Sequence, residues 1–210
     1  MVRPFFPALV IAFALFATRD SGSHALANPS AGLDSLRILV DTGELTRAEP
    51  LARRLLRYEE ADSRPDSLEM ALILDQLGVI LRRTGRERTA EAEATCRRAL
   101  FLKEAVLGTD DASYAASLHG LGALYYARME YERSRPLLTR AYEIRTKRLG
   151  EEHPDVAWSL MILGALESET GSDSAAAGSI GRAVAIQRKR PDTKEIDLVL
   201  GLNALATIRN

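Results

Sequence analysis

One thiol and three imidazoles, Cys96, His24, His119 and His153, are the readiest nucleophile and general-base side chains in this chain. A Cys–His pair would suit covalent catalysis, yet nothing in the sequence brings His119 or His153 to Cys96. The carboxylates Glu59-Glu60, Glu91 with Glu93, and Glu151-Glu152 invite an acid–base reading. Adjacent and alternate residues of a helix do not face each other, however, so these read as solvated faces. The chain has no Gly-rich phosphate loop, no Gly-x-Ser-x-Gly elbow and no HExxH helix. A single cysteine excludes an internal disulfide and a cysteine-built zinc site. The expectation is therefore no catalytic residue, no metal and no cofactor.

Charge points the same way. Across 210 residues, 28 basic and 29 acidic side chains leave a formal charge of −1. The basic clusters Arg53-Arg54-Arg57, Arg82-Arg83-Arg86-Arg88, Arg97-Arg98 and Arg145-Lys147-Arg148 are interleaved with glutamates. They read mainly as surface salt pairs, each worth at most about 1 kcal/mol. Nucleic-acid binding would need a net positive face with stacking aromatics, and aromatics are only 6% of the chain. The excess of arginine over lysine suggests a GC-rich bacterial genome. With 46% apolar residues the chain can bury a real core.

The N-terminus differs from the remainder. Arg3 precedes a 13-residue apolar run, Phe5 to Ala17, then a polar stretch and the small-x-small site Ala25-Leu26-Ala27. This order predicts a signal peptide over residues 1–27, cleaved after Ala27, and export to the periplasm or beyond. The run is short of the roughly 20 apolar residues a spanning helix needs, so no membrane insertion is expected after cleavage. An uncleaved N-terminal anchor is the alternative. The mature chain would carry a charge of −2.

The elements that must position any site come from an internal repeat. Leu77-Gly78, Leu121-Gly122 and Leu163-Gly164 recur at intervals of 44 and 42 residues, and Leu205-Ala206 follows 42 later. Leu107-Gly108 and Leu149-Gly150 are 42 apart, as are Ala99, Ala141 and Ala183. The interval of 44 reflects two extra residues between Leu77 and Ala99, in the turn or second helix of that unit. A degenerate earlier copy begins before Gly43, with Ser35-Leu36 in place of Leu-Gly. Each unit reads as two helices, since apolar residues such as Ala115, Leu118, Leu121, Gly122 and Tyr125 recur at three and four. Gly85, Gly108, Gly150 and Gly171 fall at helix ends. Asp66, Asp110 and Thr193 are expected N-caps. Glycine inside a helix costs roughly 1 kcal/mol against alanine, so three at one repeat position imply close helix packing. Cys96 falls at the repeat position of Leu138 and is expected to be buried and inert.

The units resemble the tetratricopeptide repeat, in the 42-residue form of kinesin light chains and many bacterial proteins. The opening Gly150 to Ala157, the Leu-Gly pair with a bulky residue such as Tyr125 beyond it, and the later alanine carry the resemblance over about residues 31–208. Glu167 in place of a tyrosine and Ser134 in place of the usual turn alanine, kept at Ala48 and Ala176, are departures. The resemblance implies an all-α, right-handed solenoid of four hairpins, approximately 31–64, 66–109, 110–150 and 151–190, plus a capping helix at 193–208. It also implies that His153 serves the turn and that first helices line a concave groove.

By repeat register that groove holds Asp75, Val79, Arg82 and Arg83 in unit two and His119, Ala123 and Tyr126 in unit three. Unit four adds Met161, Ala165, Ser168 and Glu169, and the last helix adds Asn203. Relatives that hold extended peptides often use Asn-Asn pairs, which here are Asp75-Gln76, His119-Gly120, Met161-Ile162 and Asn203-Ala204. The remaining side chains suit an acidic or aromatic segment. The expected function is a non-enzymatic interaction module that holds a protein or peptide partner; structural self-association in the envelope is the alternative.

Overall fold

The computed structural model describes residues 29–189. They form eight helices: α1 (Pro29–Asp41), α2 (Leu45–Ala61), α3 (Ser67–Arg83), α4 (Ala90–Leu107), α5 (Ala112–Ala127), α6 (Tyr131–Leu149), α7 (Pro154–Glu169) and α8 (Asp173–Arg188). They pair as four antiparallel hairpins, and each second helix also packs on the first helix of the next unit. The leader and the helix expected at 193–208 lie outside the described residues.

The intra-hairpin turns share one closure. Gly43, Gly85, Met129 and Gly171 have positive φ, and the following amides of Glu44, Arg86, Glu130 and Ser172 donate to the carbonyls of Leu39, Leu81, Tyr125 and Glu167. This is the helix-ending bond pattern that places a left-handed residue after the last turn. Met129 is the only one of the four with a β-carbon, and it holds φ at 62°. The two extra residues of unit two lie after this closure, between Gly85 and the N-cap Thr89. Arg128 secures them: its Nε donates to Glu87 O at 2.5 Å and its Nη2 to Thr89 O at 2.8 Å.

The helical glycines sit where the hairpins close most tightly. A β-carbon on Gly78 would stand 2.8 Å from Cys96 Sγ, one on Gly122 2.8 Å from Leu138, and one on Gly164 2.5 Å from Ile180 Cγ1. Cys96, Leu138 and Ile180 are themselves 42 residues apart. Unit one reverses the sizes. Leu36 takes the glycine's place and Ala52 the large residue's, and both are wholly buried in one cluster. The departure at Ser35-Leu36 is thus a swap of volume across the same contact. Ser134 is equally accounted for: fully buried, it donates to Gly122 O at 2.8 Å.

Of the three expected N-caps Asp66 is one, and Thr193 lies outside the described residues. Asp66 accepts from the amides of Leu68 and Glu69, and His153 Nδ1 accepts from Asp155 N at 3.2 Å, a turn role. Asp111 caps α5, not Asp110. Asp110 instead pairs with Lys147 and Arg148 at 2.7 and 2.9 Å.

Candidate groove and its buried cations

The contacts identify which helices form the inner wall. First helices touch the first helix of the next unit, α1 on α3, α3 on α5 and α5 on α7, whereas no two second helices touch to that extent among the described residues. In a curved stack the closer-spaced layer is the concave one. The first helices α3, α5 and α7 therefore form the inner layer.

The candidate residues divide into three sets. Asp75 and Arg83 are held by the fold. Asp75 pairs with Lys103, which is wholly buried, and accepts from Ser117 Oγ at 2.7 Å. Burial raises the Asp75 carboxyl above its ordinary value, against the pull of Lys103. Arg83 reaches back to unit one and donates to Val40 O at 2.5 Å. A second set is aromatic. The Tyr126 ring stands 5.9 Å from that of Tyr131, and the Tyr131 hydroxyl donates to the exposed Glu169 at 3.3 Å. Met161 is half-buried against the cluster of Val156, Ala157 and Leu160. Asn203 lies outside the described residues.

The third set is cationic. Arg82 is half-buried, and its guanidinium makes no hydrogen bond or ion pair among the described residues; burial and then Arg83 lower its pKa. Beside it His119 is drawn down to about 3, by burial first, then by Arg145 and Arg82. The imidazole is therefore neutral at ordinary pH, and its Nδ1 is buried without a hydrogen-bond partner.

Arg145 is the residue that the sequence reading misplaced among surface pairs. It is 6% exposed, donates to Asp155 O at 3.1 Å and Ser159 Oγ at 2.9 Å, and keeps a buried Nε without a partner. A register signal marks it. Glu59, Lys103, Arg145 and Gln187 stand at one repeat position, and all four are buried polar residues. Three of them fasten the second helix to the start of the next unit. Glu59 accepts from Asp66 N at 3.1 Å, Lys103 donates to Ser113 O at 2.9 Å, and Arg145 donates to Asp155 O.

The convex side is laced between units. Glu93 accepts from Tyr125 Oη at 2.8 Å, Arg128 at 2.6 Å and Arg133 at 3.0 Å. Arg133 also lies over the Tyr125 ring, 3.9 Å from its centre. The Tyr125 hydrogen bond and then the arginines pull the Glu93 carboxyl down to about 2. Glu49 similarly holds Arg53 and Arg86, and Glu60 accepts from Arg98 at 2.5 Å. Of the twelve clustered basic residues, Arg53, Arg86, Arg97, Arg98, Lys147 and Arg148 are ion-paired, so the surface-pair reading holds for half of them. Glu93 itself was read as solvated, since three of its partners, Tyr125, Arg128 and Arg133, come from the next unit.

Cys96 is buried against Gly78, and burial above all pushes its thiol up to about 12, the character of an unreactive thiol. Among the described residues no group of three potential ligands is placed to hold a metal ion, and no helix is long and apolar enough to cross a membrane.

The fold is shared with solved structures. A BtubC (BKLC) protein from P. vanneervenii superposes with a TM-score of 0.73 at 21% identity, covering 94% of this chain and 81% of that one. A putative kinesin light chain from Podospora anserina, with nearly identical TPR-like repeats, superposes at 0.66 with 20% identity, covering 87% and 86%. A single-substitution variant of that protein gives the same score over 88% and 86%. No curated protein matches the sequence. Residues 69–147 and 116–189 match the tetratricopeptide repeat model, and this chain belongs to that family, whose members are in general non-catalytic interaction or scaffolding modules.

Proposed function

We propose that this chain is a non-enzymatic, exported interaction module that holds a protein or peptide segment in its concave groove. The observation that carries the reading is the half-buried set Arg82, His119 and Tyr126 on the wall formed by α3 and α5. Arg82 is the one of these whose charge is unused within the fold. A cation and an aromatic ring on a rigid concave wall are the anchors that interfaces favour. Export rests on the leader-like order of residues 1–27. Affinity capture from the envelope fraction with residues 28–210, beside an Arg82→Ala/Tyr126→Ala version, tests it. A partner lost with the double variant supports the groove. A partner held equally by both places binding elsewhere. Cell fractionation with N-terminal sequencing tests cleavage after Ala27.

A further inference from the structure

Units two and three build the same polar junction, and one piece is missing from the second of them. In unit two a buried cation, Lys103, meets Ser113 O of the next helix and the carboxylate of Asp75, which also takes the hydroxyl of Ser117. Moving one unit along, the equivalents are Arg145, Asp155 O and Ser159. The residue equivalent to Asp75 is His119. The carboxylate that neutralises Lys103 therefore has no counterpart beside Arg145. Asp155 and Asp75 attract Arg145 electrostatically, but no carboxylate oxygen hydrogen-bonds it among the described residues, and Asp75 is already taken. Two buried nitrogens, Arg145 Nε and His119 Nδ1, stay without partners, and the unpaired Arg82 bears on the same imidazole. A buried cation lacking a counter-charge is costly.

We infer that unit three carries an oxyanion site on the groove wall, formed by Arg145, Arg82 and His119, at the place unit two fills with its own Asp75. One carboxylate-sized anion fits the chemistry. It comes either free from solution or from an acidic residue of a bound segment, and a guanidinium is the donor best matched to such a group. The inference does not depend on the partner-binding reading, because a free oxyanion would fill the same site.

The test is thermal unfolding and calorimetric titration of residues 28–210 with sodium phosphate and sodium acetate at fixed ionic strength, then with a hexaglutamate peptide. Saturable stabilisation is expected, roughly 3–6 °C in Tm at ten times Kd, and it should vanish in Arg145→Met. His119→Asp restores the unit-two arrangement, so it should raise Tm without added anion and abolish the response. Response to phosphate or acetate alone assigns a free-anion site. Response only to the peptide, at lower concentration, assigns a partner's carboxylate. No response from any probe, or an equal response in Arg145→Met, overturns the inference. His119→Asp distinguishes the site from general salt effects, which the variant would leave intact.

Discussion

Replacing Gly164 by alanine should destabilise the protein, although alanine is the better helix former. The gain in helix propensity is about 1 kcal/mol. Against it, the new β-carbon would stand 2.5 Å from Ile180 Cγ1 and 3.2 Å from Ala176 O. The first is a branch atom near the backbone and the second is backbone, so neither moves without shifting α8. Overpacking of this kind costs about 1–3 kcal/mol. The net expectation is a loss of about 0–2 kcal/mol, centred near 1. Gly78 faces the end of the short Cys96 side chain, which can turn aside, so Gly78→Ala should cost least of the three glycine substitutions.

The decisive version is a cycle with Ile180→Ala. That change alone should cost about 2–5 kcal/mol, as core truncations do. In its background the Ile180 contact is gone and only the 3.2 Å approach to Ala176 O remains, so Gly164→Ala should become neutral to stabilising, by at most about 1 kcal/mol. Unit one already contains the reversed arrangement, Leu36 with Ala52. Urea unfolding followed by circular dichroism gives the four values, and a coupling of about 1–3 kcal/mol is expected. An equal effect of Gly164→Ala in both backgrounds would refute the packing argument and leave only propensity.

Met129→Gly should stabilise the protein by about 0.5–1 kcal/mol in the same assay, since a left-handed residue with a β-carbon costs about 1–2 kcal/mol and glycine's extra freedom in the unfolded chain returns part of it; the Met129 side chain is exposed and loses little packing. Lys103→Met should cost about 3–5 kcal/mol by stranding Asp75, whereas Lys103→Met with Asp75→Leu should recover most of it in thermal melts. Arg128→Ala should expose the Gly85–Thr89 loop to limited proteolysis, with fragments from cleavage there and a stability loss of about 1.5–3 kcal/mol. Stability should fall on acidification in two overlapping windows. The depressed His119 contributes stability that is full above its ordinary value and is lost as pH falls from about 6.5 towards about 3. Glu93 behaves likewise from its ordinary 4.5 down to about 2, so Glu93→Gln should flatten the lower window of a pH series of urea midpoints and leave the upper one.

The repeat interval, the turn glycines and the helical glycines were legible because each answers to a local rule: a left-handed turn residue, or a helix contact too close for a side chain. The two-residue insertion was narrowed to a turn or helix, and only the Arg128 contacts to Glu87 and Thr89 show why the turn takes it. Asp110 and Asp111 could not be told apart, since both precede α5 and the capping bond is a matter of one residue. The candidate groove residues of units two to four lie on the first helices α3, α5 and α7, but register alone cannot say which charges the fold consumes. Asp75 and Arg83 are spent on contacts 28 and 43 residues away in the chain, and Glu93, besides Arg97 on its own helix, takes partners 32 to 40 away. Reading charges against helix neighbours alone misses these, because their partners stand on another helix, of the same unit for Asp75 and Lys103 and of a neighbouring unit for Arg83 and Glu93.

That geometry also explains why a single exchange at one repeat position changes what a unit can do. Glu59, Lys103, Arg145 and Gln187 occupy one buried place in four successive units. In the first three, the common contact, to the backbone at the start of the next helix, survives a change of charge sign in the side chain that makes it. The backbone contact is therefore the structural part of the junction, made to the N-cap amide in unit one and to a first-turn carbonyl in units two and three. The residue across from it on the first helix is under no such demand. With aspartate at 75 the junction is electrically closed, whereas with histidine at 119 it is left with a buried guanidinium that no carboxylate hydrogen-bonds. A solenoid can thus keep its stacking unchanged and still set, unit by unit, whether its inner wall is inert or charged, and His119 is the position at which this chain does so.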